Sequence, residues 1–127
     1  MPITTLLVDD DSTVLKTLKG IFETRDFHVS TAHSAGEAVK TLGEHSFDLV
    51  VTDMRMETET SGFEVVRHAK SSGKRPLVII LSAYPIPASE WRDAGADAMF
   101  MKGGGIFRML DDIERLVRTQ SKLPAVG

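Results

Sequence analysis

A doubly wound α/β domain, with a five-stranded parallel sheet and helices on both faces, is the fold class three observations predict. Short apolar runs alternate along the chain with segments of helical spacing, the order that gives parallel sheets. The runs are too short for helices and rich in Val, Ile, Leu, Met and Phe, as strands covered on both faces are. The 127 residues contain no internal repeat and no long linker, and they suit one domain with one core.

Four strands are expected at Thr5–Val8, Leu49–Thr52, Leu77–Leu81 and Ala98–Met101, and a weaker, alternating edge strand at His28–Ala32. Between the first two runs in sequence, Val14, Leu15, Leu18, Ile21 and Phe22 make one apolar helix face, with Ser12 as its expected N-cap. Ser34 followed by Glu37, and Ser61 followed by Glu64, read as capping boxes that open the second and third helices. Ala88–Ala94 gives a short fourth helix whose start Pro85 and Pro87 delay. Ile106, Met109, Leu110, Ile113, Leu116 and Val117 line a last amphipathic helix ending near Thr119, so the domain is assigned to residues 1–120 and a frayed tail to 121–127.

Bulk composition narrows the function. Apolar residues make up 42% and charged residues 26% of the chain, ordinary values for a soluble globular protein. A net charge of −3 offers no basic field for nucleic acid or an anionic membrane. The absence of cysteine removes disulfides, thiolate catalysis and cysteine metal sites. With no secretory pattern at the start and no apolar run of about 18 residues, a cytoplasmic location is expected.

In open α/β sheets ligands bind beyond the carboxyl ends of the strands. Asp9, Asp10 and Asp11 follow the first run, Asp53 the third, Ser82 the fourth and Lys102 the fifth. Taken singly, each has a plain reading as a cap, turn or surface residue. Taken together, converging carboxylates repel unless a cation sits between them, and Mg²⁺ takes carboxylates with water and phosphate oxygens. A carboxylate can also serve as a nucleophile toward phosphorus, and Lys102 and Ser82 can supply an ammonium and a hydroxyl to a phosphoryl group.

The segments LLVDDDS, DLVVTDM, LVIILSAY and AMFMKG, in this order and spacing, resemble the receiver domain of bacterial two-component response regulators. The resemblance implies a flavodoxin-like (βα)5 fold with strand order 2-1-3-4-5. It implies Asp53 as phosphoacceptor, Ser82 and Lys102 on the phosphoryl group, and Mg²⁺ held by Asp9, Asp10, Asp53 and the Arg55 carbonyl. The donor would be a phosphohistidine on a histidine kinase or histidine phosphotransfer protein, and the output a protein–protein contact with an unknown downstream target. Direct nucleic-acid or membrane binding is not expected, and the chain reads as a stand-alone switch, monomeric or weakly dimeric, that catalyses only its own phosphorylation and dephosphorylation.

Departures from that pattern fall on the switch and the loops. Met99 stands where the family usually has an aromatic, three residues before the lysine. Gly103, Gly104 and Gly105 replace the usual proline after it, which predicts a soft loop. Glu57 stands at the usual proline position after Asp53, in a loop that reads as about one residue longer and more acidic than usual. Arg55 and Tyr84 occupy positions that in this family influence dephosphorylation rate. The competing readings are a receiver-like scaffold indifferent to phosphate and a Mg²⁺-dependent phosphatase of the haloacid dehalogenase kind. The latter usually carries a second Asp where Arg55 stands. The four histidines show no zinc spacing, and Met54, Met56, Met99, Met101 and Met109 read as core filler or strand ends.

Overall fold

The structure, a computed structural model, describes residues 2–122. Ten elements alternate without exception: β1 (Ile3–Val8), α1 (Ser12–Phe22), β2 (Phe27–Ala32), α2 (Ala35–Glu44), β3 (Leu49–Asp53), α3 (Ser61–Ser71), β4 (Leu77–Ser82), α4 (Ala88–Ala94), β5 (Ala98–Met101) and α5 (Ile106–Lys122). All the strand pairings are parallel and the sheet order is β2-β1-β3-β4-β5. The doubly wound sheet expected from the sequence is therefore present, with the alternating run at β2 on one edge and β5 on the other.

Side chains of each strand alternate between two apolar layers, as the pleat requires. Leu6, Val8, Val50, Val78 and Ile80 face one layer, covered by Ala38 and Leu42 of α2, Val65, Val66 and Ala69 of α3, and Trp91 of α4. Leu7, Leu49, Val51, Ile79 and Leu81 face the other, covered by Leu15 and Phe22 of α1 and Leu110, Ile113 and Val117 of α5. The central strands β3 and β4 are buried along their whole length, which explains their unbroken apolar sequences.

The helix starts depart from expectation at two places. Asp11, not Ser12, caps α1, accepting from the amides of Thr13 at 2.9 Å and Val14 at 3.3 Å. Ser61 is the first residue of α3 rather than its cap, and its hydroxyl accepts from the Thr58 amide at 2.9 Å to close the preceding loop. Ser34 caps α2 as expected, accepting from the Glu37 amide at 3.0 Å. Helix α5 runs to Lys122, one turn past its expected end near Thr119, while residues 123–127 of the expected tail lie outside the described residues.

At the amino-terminal edge of the sheet, Asp48 ties β1 to the start of β3. Its carboxylate accepts from the Thr4 amide at 3.0 Å and hydroxyl at 2.8 Å, and Lys74 Nζ lies at 2.7 Å. Burial alone would raise this carboxyl, but the bonds from Lys74 and Thr4 outweigh burial and hold it below its usual value. A lowered carboxyl stabilises fully above the unfolded-state value, and the contribution is lost as pH falls through the folded one. Asp48→Ala is expected to cost roughly 1–2 kcal/mol at neutral pH. Urea denaturation read by circular dichroism should show the parent and variant converging as the pH drops below the ordinary carboxylate range.

Candidate functional site

Two neighbouring parallel strands, β1 and β3, end in an acid or next to one, and the edge strand β5 ends next to a lysine. Asp9 follows β1, Asp53 closes β3, and β5, at the sheet edge beyond β4, hands on to Lys102. β1 and β3 pair side by side, but the chain leaving them runs to α1 on one face and to α3 on the other, which opens a crevice at the carboxyl edge. Carboxylate oxygens of Asp9, Asp10 and Asp53 lie within 4.8 Å of one another. Asp9 is 2% exposed and Asp53 9%, whereas Asp10 faces solvent. Asp11, the third acid of the run, is spent on capping α1.

Lys102 balances this charge. Its ammonium lies 3.0 Å from Asp9 Oδ2 and 3.2 Å from Asp53 Oδ1, with its side chain 28% exposed. The Lys102 amide donates to the Ser82 carbonyl at 2.7 Å, which fixes the chain as it leaves β5. Asp53 Oδ1 also accepts from the Met54 amide at 2.9 Å, and Asp9 Oδ1 accepts from the Asp11 amide at 3.0 Å. Burial, then the charge of Asp9, raises the Asp53 carboxyl above its usual value, against the pull of Lys102. Burial pushes the Lys102 ammonium down, but the bond to Asp9 and the charges of Asp53 and Asp9 outweigh it and raise it. The site is thus an ion cluster with more acid than base, open to a further cation.

The donor chemistry fits Mg²⁺: the grouped ligand atoms are hard carboxylate oxygens, one of them on an exposed residue that can share its ion with water. Arg55, whose carbonyl completes the expected set, lies on the loop two residues past Asp53. That loop is pressed close to α3. The Gly62 amide donates to the Met54 carbonyl at 2.7 Å, and a Cβ on Gly62 would fall 2.7 Å from the Asp53 carbonyl oxygen.

Ser82 is 2% exposed, and its hydroxyl is engaged within its own loop. It donates to the Tyr84 carbonyl at 2.7 Å and accepts from the Tyr84 amide at 3.1 Å. Met99 of β5 is half-buried, pairs with Ile80 and packs against the layer covered by α2 and α3. Arg55 and Tyr84, expected separately as tuning residues, stack on each other, the guanidinium carbon 4.1 Å from the ring centre. Met54 and Met109 are buried, whereas Met101 ends β5 with 43% exposure.

Sequence reasoning missed the role of Glu57. Its carboxylate crosses to α2 and accepts from the amides of Ala35 at 3.1 Å and Gly36 at 3.4 Å. The Ala35 bond, with help from the Gly36 and Glu57 amides, holds this carboxyl below its usual value. The acid-rich stretch around it was the visible signal, but its partner lies 22 residues away.

Acids and an ammonium gathered at the carboxyl edge of a doubly wound sheet define a class of α/β domains built to hold a cation beside an anion. Comparison with known proteins narrows the class. The sequence profile of the response regulator receiver domain matches residues 5–114, and this chain belongs to that family, the signalling switches of two-component systems. A gliding motility regulatory protein of Myxococcus xanthus is 34% identical over 116 residues, covering 87% of this chain and 15% of that protein. A CheY-like receiver domain protein from Methanospirillum hungatei superposes with a TM-score of 0.86 at 26% identity, covering 96% of this chain and 98% of the other. The response regulator TrrA of Thermotoga maritima, solved in complex with Mg²⁺–BeF, gives 0.79 at 25% identity, covering 91% and 99%. This chain spans between 15% and 53% of the length of the first curated relatives it matches. Among the described residues no helix is long and apolar enough to cross a membrane.

Proposed function

We propose that this receiver takes a phosphoryl group from a phosphohistidine donor onto Asp53 and signals through a phosphorylation-dependent protein contact. The observation that carries the reading is the nearly buried Asp53 carboxylate, with Lys102 Nζ at 3.2 Å and the carboxylates of Asp9 and Asp10 grouped beside it. An Asp53 oxygen attacks phosphorus, the bond from phosphorus to the donor imidazole nitrogen breaks, and its electron pair returns to the ring. Asp9, Asp10, Asp53 and the Arg55 carbonyl would hold Mg²⁺, which when bound supplies positive charge to the phosphoryl oxygens. Lys102, within 3.2 Å of both Asp9 and Asp53, adds a fixed positive charge beside the nucleophile, so catalysis is positioning plus electrostatics.

Transmission would begin at Ser82. To reach a phosphoryl group its hydroxyl must give up the Tyr84 carbonyl, which frees the loop that carries the Arg55–Tyr84 stack. Met99 would move within the layer it packs against, without a ring to swing. The test is the intact mass of the protein after incubation with acetyl phosphate, with and without Mg²⁺. A Mg²⁺-dependent gain of one phosphoryl group, absent in Asp53→Asn, is the expected result. No adduct on the parent would sink the reading in favour of a phosphate-independent scaffold.

A further inference from the structure

We propose that Glu57 is a positioning residue for the cation site: its carboxylate clamps the loop between β3 and α3 onto the amino terminus of α2 and so fixes the Arg55 backbone. The inference rests on the reading of Arg55 as a Mg²⁺ ligand and adds the device that holds it in place.

The first three amides of α2 have no partner within the helix, as in any α-helix. Ser34 takes the Glu37 amide, and Glu57 takes the other two, Ala35 and Gly36, from another loop. The attachment also sets a negative charge at the positive end of the helix dipole. Arg55 then lies between two pins. On one side Met54 is bonded to Gly62 at 2.7 Å; on the other Glu57 is bonded to α2. The loop beyond is closed on itself by Thr58, which accepts from the Met56 amide at 3.2 Å and donates its own amide to Ser61. Where the family pattern stiffens this point with a proline ring, the present chain tethers it with a side chain. Groups behind metal ligands that hold them in place commonly change metal affinity about 10- to 100-fold when removed.

Three variants test the clamp. Glu57→Asp keeps the charge but is one methylene too short to span to α2. Glu57→Ala removes both charge and reach. Glu59→Ala removes a charge from the same loop, at a residue with none of the α2 bonds described for Glu57. Calorimetric titration with Mg²⁺ should show both Glu57 variants weakened about tenfold, and Glu59→Ala changed far less. In metal-free protein the Ala35 and Gly36 amides should lose hydrogen-exchange protection in both Glu57 variants. In phosphorylation assays the shift should fall on the Mg²⁺ concentration for half-maximal rate more than on the rate at saturation. Parent-like Mg²⁺ affinity in Glu57→Asp, or equal losses in Glu57→Ala and Glu59→Ala, would overturn the clamp. A parent that binds Mg²⁺ yet takes no phosphoryl group overturns the phosphoacceptor reading alone, since the calorimetry still decides the clamp. A parent that binds no Mg²⁺ overturns both.

Discussion

Lys102→Met is expected to slow phosphorylation by acetyl phosphate about 100- to 1,000-fold at saturating Mg²⁺, the size of effect seen when one preorganised charge-stabilising donor is removed. The ammonium lies within 3.2 Å of both Asp9 and Asp53, and methionine keeps its length without its charge. Two opposing consequences separate this from general damage. Mg²⁺ should bind more tightly to the variant, because the acids no longer share a resident cation. The variant should also be less stable than the parent in metal-free buffer, since breaking a buried pair leaves charge uncompensated, and Mg²⁺ should restore much of the loss. Titration gives a further check. Asp53 is already raised by burial and by Asp9, and Lys102 is what pulls it back. Without Lys102 the carboxyl of the metal-free protein should keep its proton to still higher pH, a shift that NMR titration in metal-free buffer would read. A rate within threefold of the parent's, on the order of 0.6 kcal/mol in barrier, would remove Lys102 from the chemistry.

Gly62→Ala is expected to destabilise the fold by roughly 2–3 kcal/mol, at the upper end for a single added methyl in a filled space. The new Cβ would meet the Asp53 carbonyl oxygen at 2.7 Å, the Met54 Cα at 2.8 Å and the Met54 sulfur at 3.1 Å. Two of these three atoms belong to backbone, so relief requires moving α3 away from the end of β3. That movement would also stretch the bond from the Gly62 amide to the Met54 carbonyl and shift the segment carrying Asp53. Gly20→Ala is the matched control. Nothing lies within 4 Å of a Cβ there, and the site is inside α1. It should stabilise by roughly 0.5–1 kcal/mol through reduced freedom of the unfolded chain. Denaturant midpoints of the two variants should therefore move in opposite directions; a shared sign would refute the steric account of Gly62.

The two variants also mark what a sequence can and cannot disclose. Strand β4 was legible because an unbroken apolar run needs both faces covered, and the short α4 at Ala88–Ala94 because two prolines delay its start. Asp9, Asp53, Ser82 and Lys102 were legible because topology alone delivers residues after parallel strands to one edge. Local ambiguity hid the α1 cap, since Ser12 and Asp11 are both good capping residues one position apart. Ser61 looked like a cap for the same reason and instead closes a turn. Contacts distant in sequence were beyond any local pattern. The crossing of Glu57 to α2, the joining of Asp48 to Thr4 and the stacking of Arg55 on Tyr84 depend on how finished elements pack. The need for glycine at Gly62 belongs with them, because it records a close approach to β3 and not a turn.

Helix α4 has seven residues and none of them is buried; half-buried Trp91 packs it against the layer beneath, and Gly95 ends it in a left-handed turn at φ 107°. So lightly moored a segment can open alone, at a free energy well below that of unfolding the whole domain. If the loop after Ser82 shifts as the proposed function requires, the ordered fraction of α4 would shift with it. For a partner that needs the ordered helix, apparent affinity scales with the ordered fraction. On the proposed function, such a face would act as a dimmer, its output graded by how often α4 is ordered.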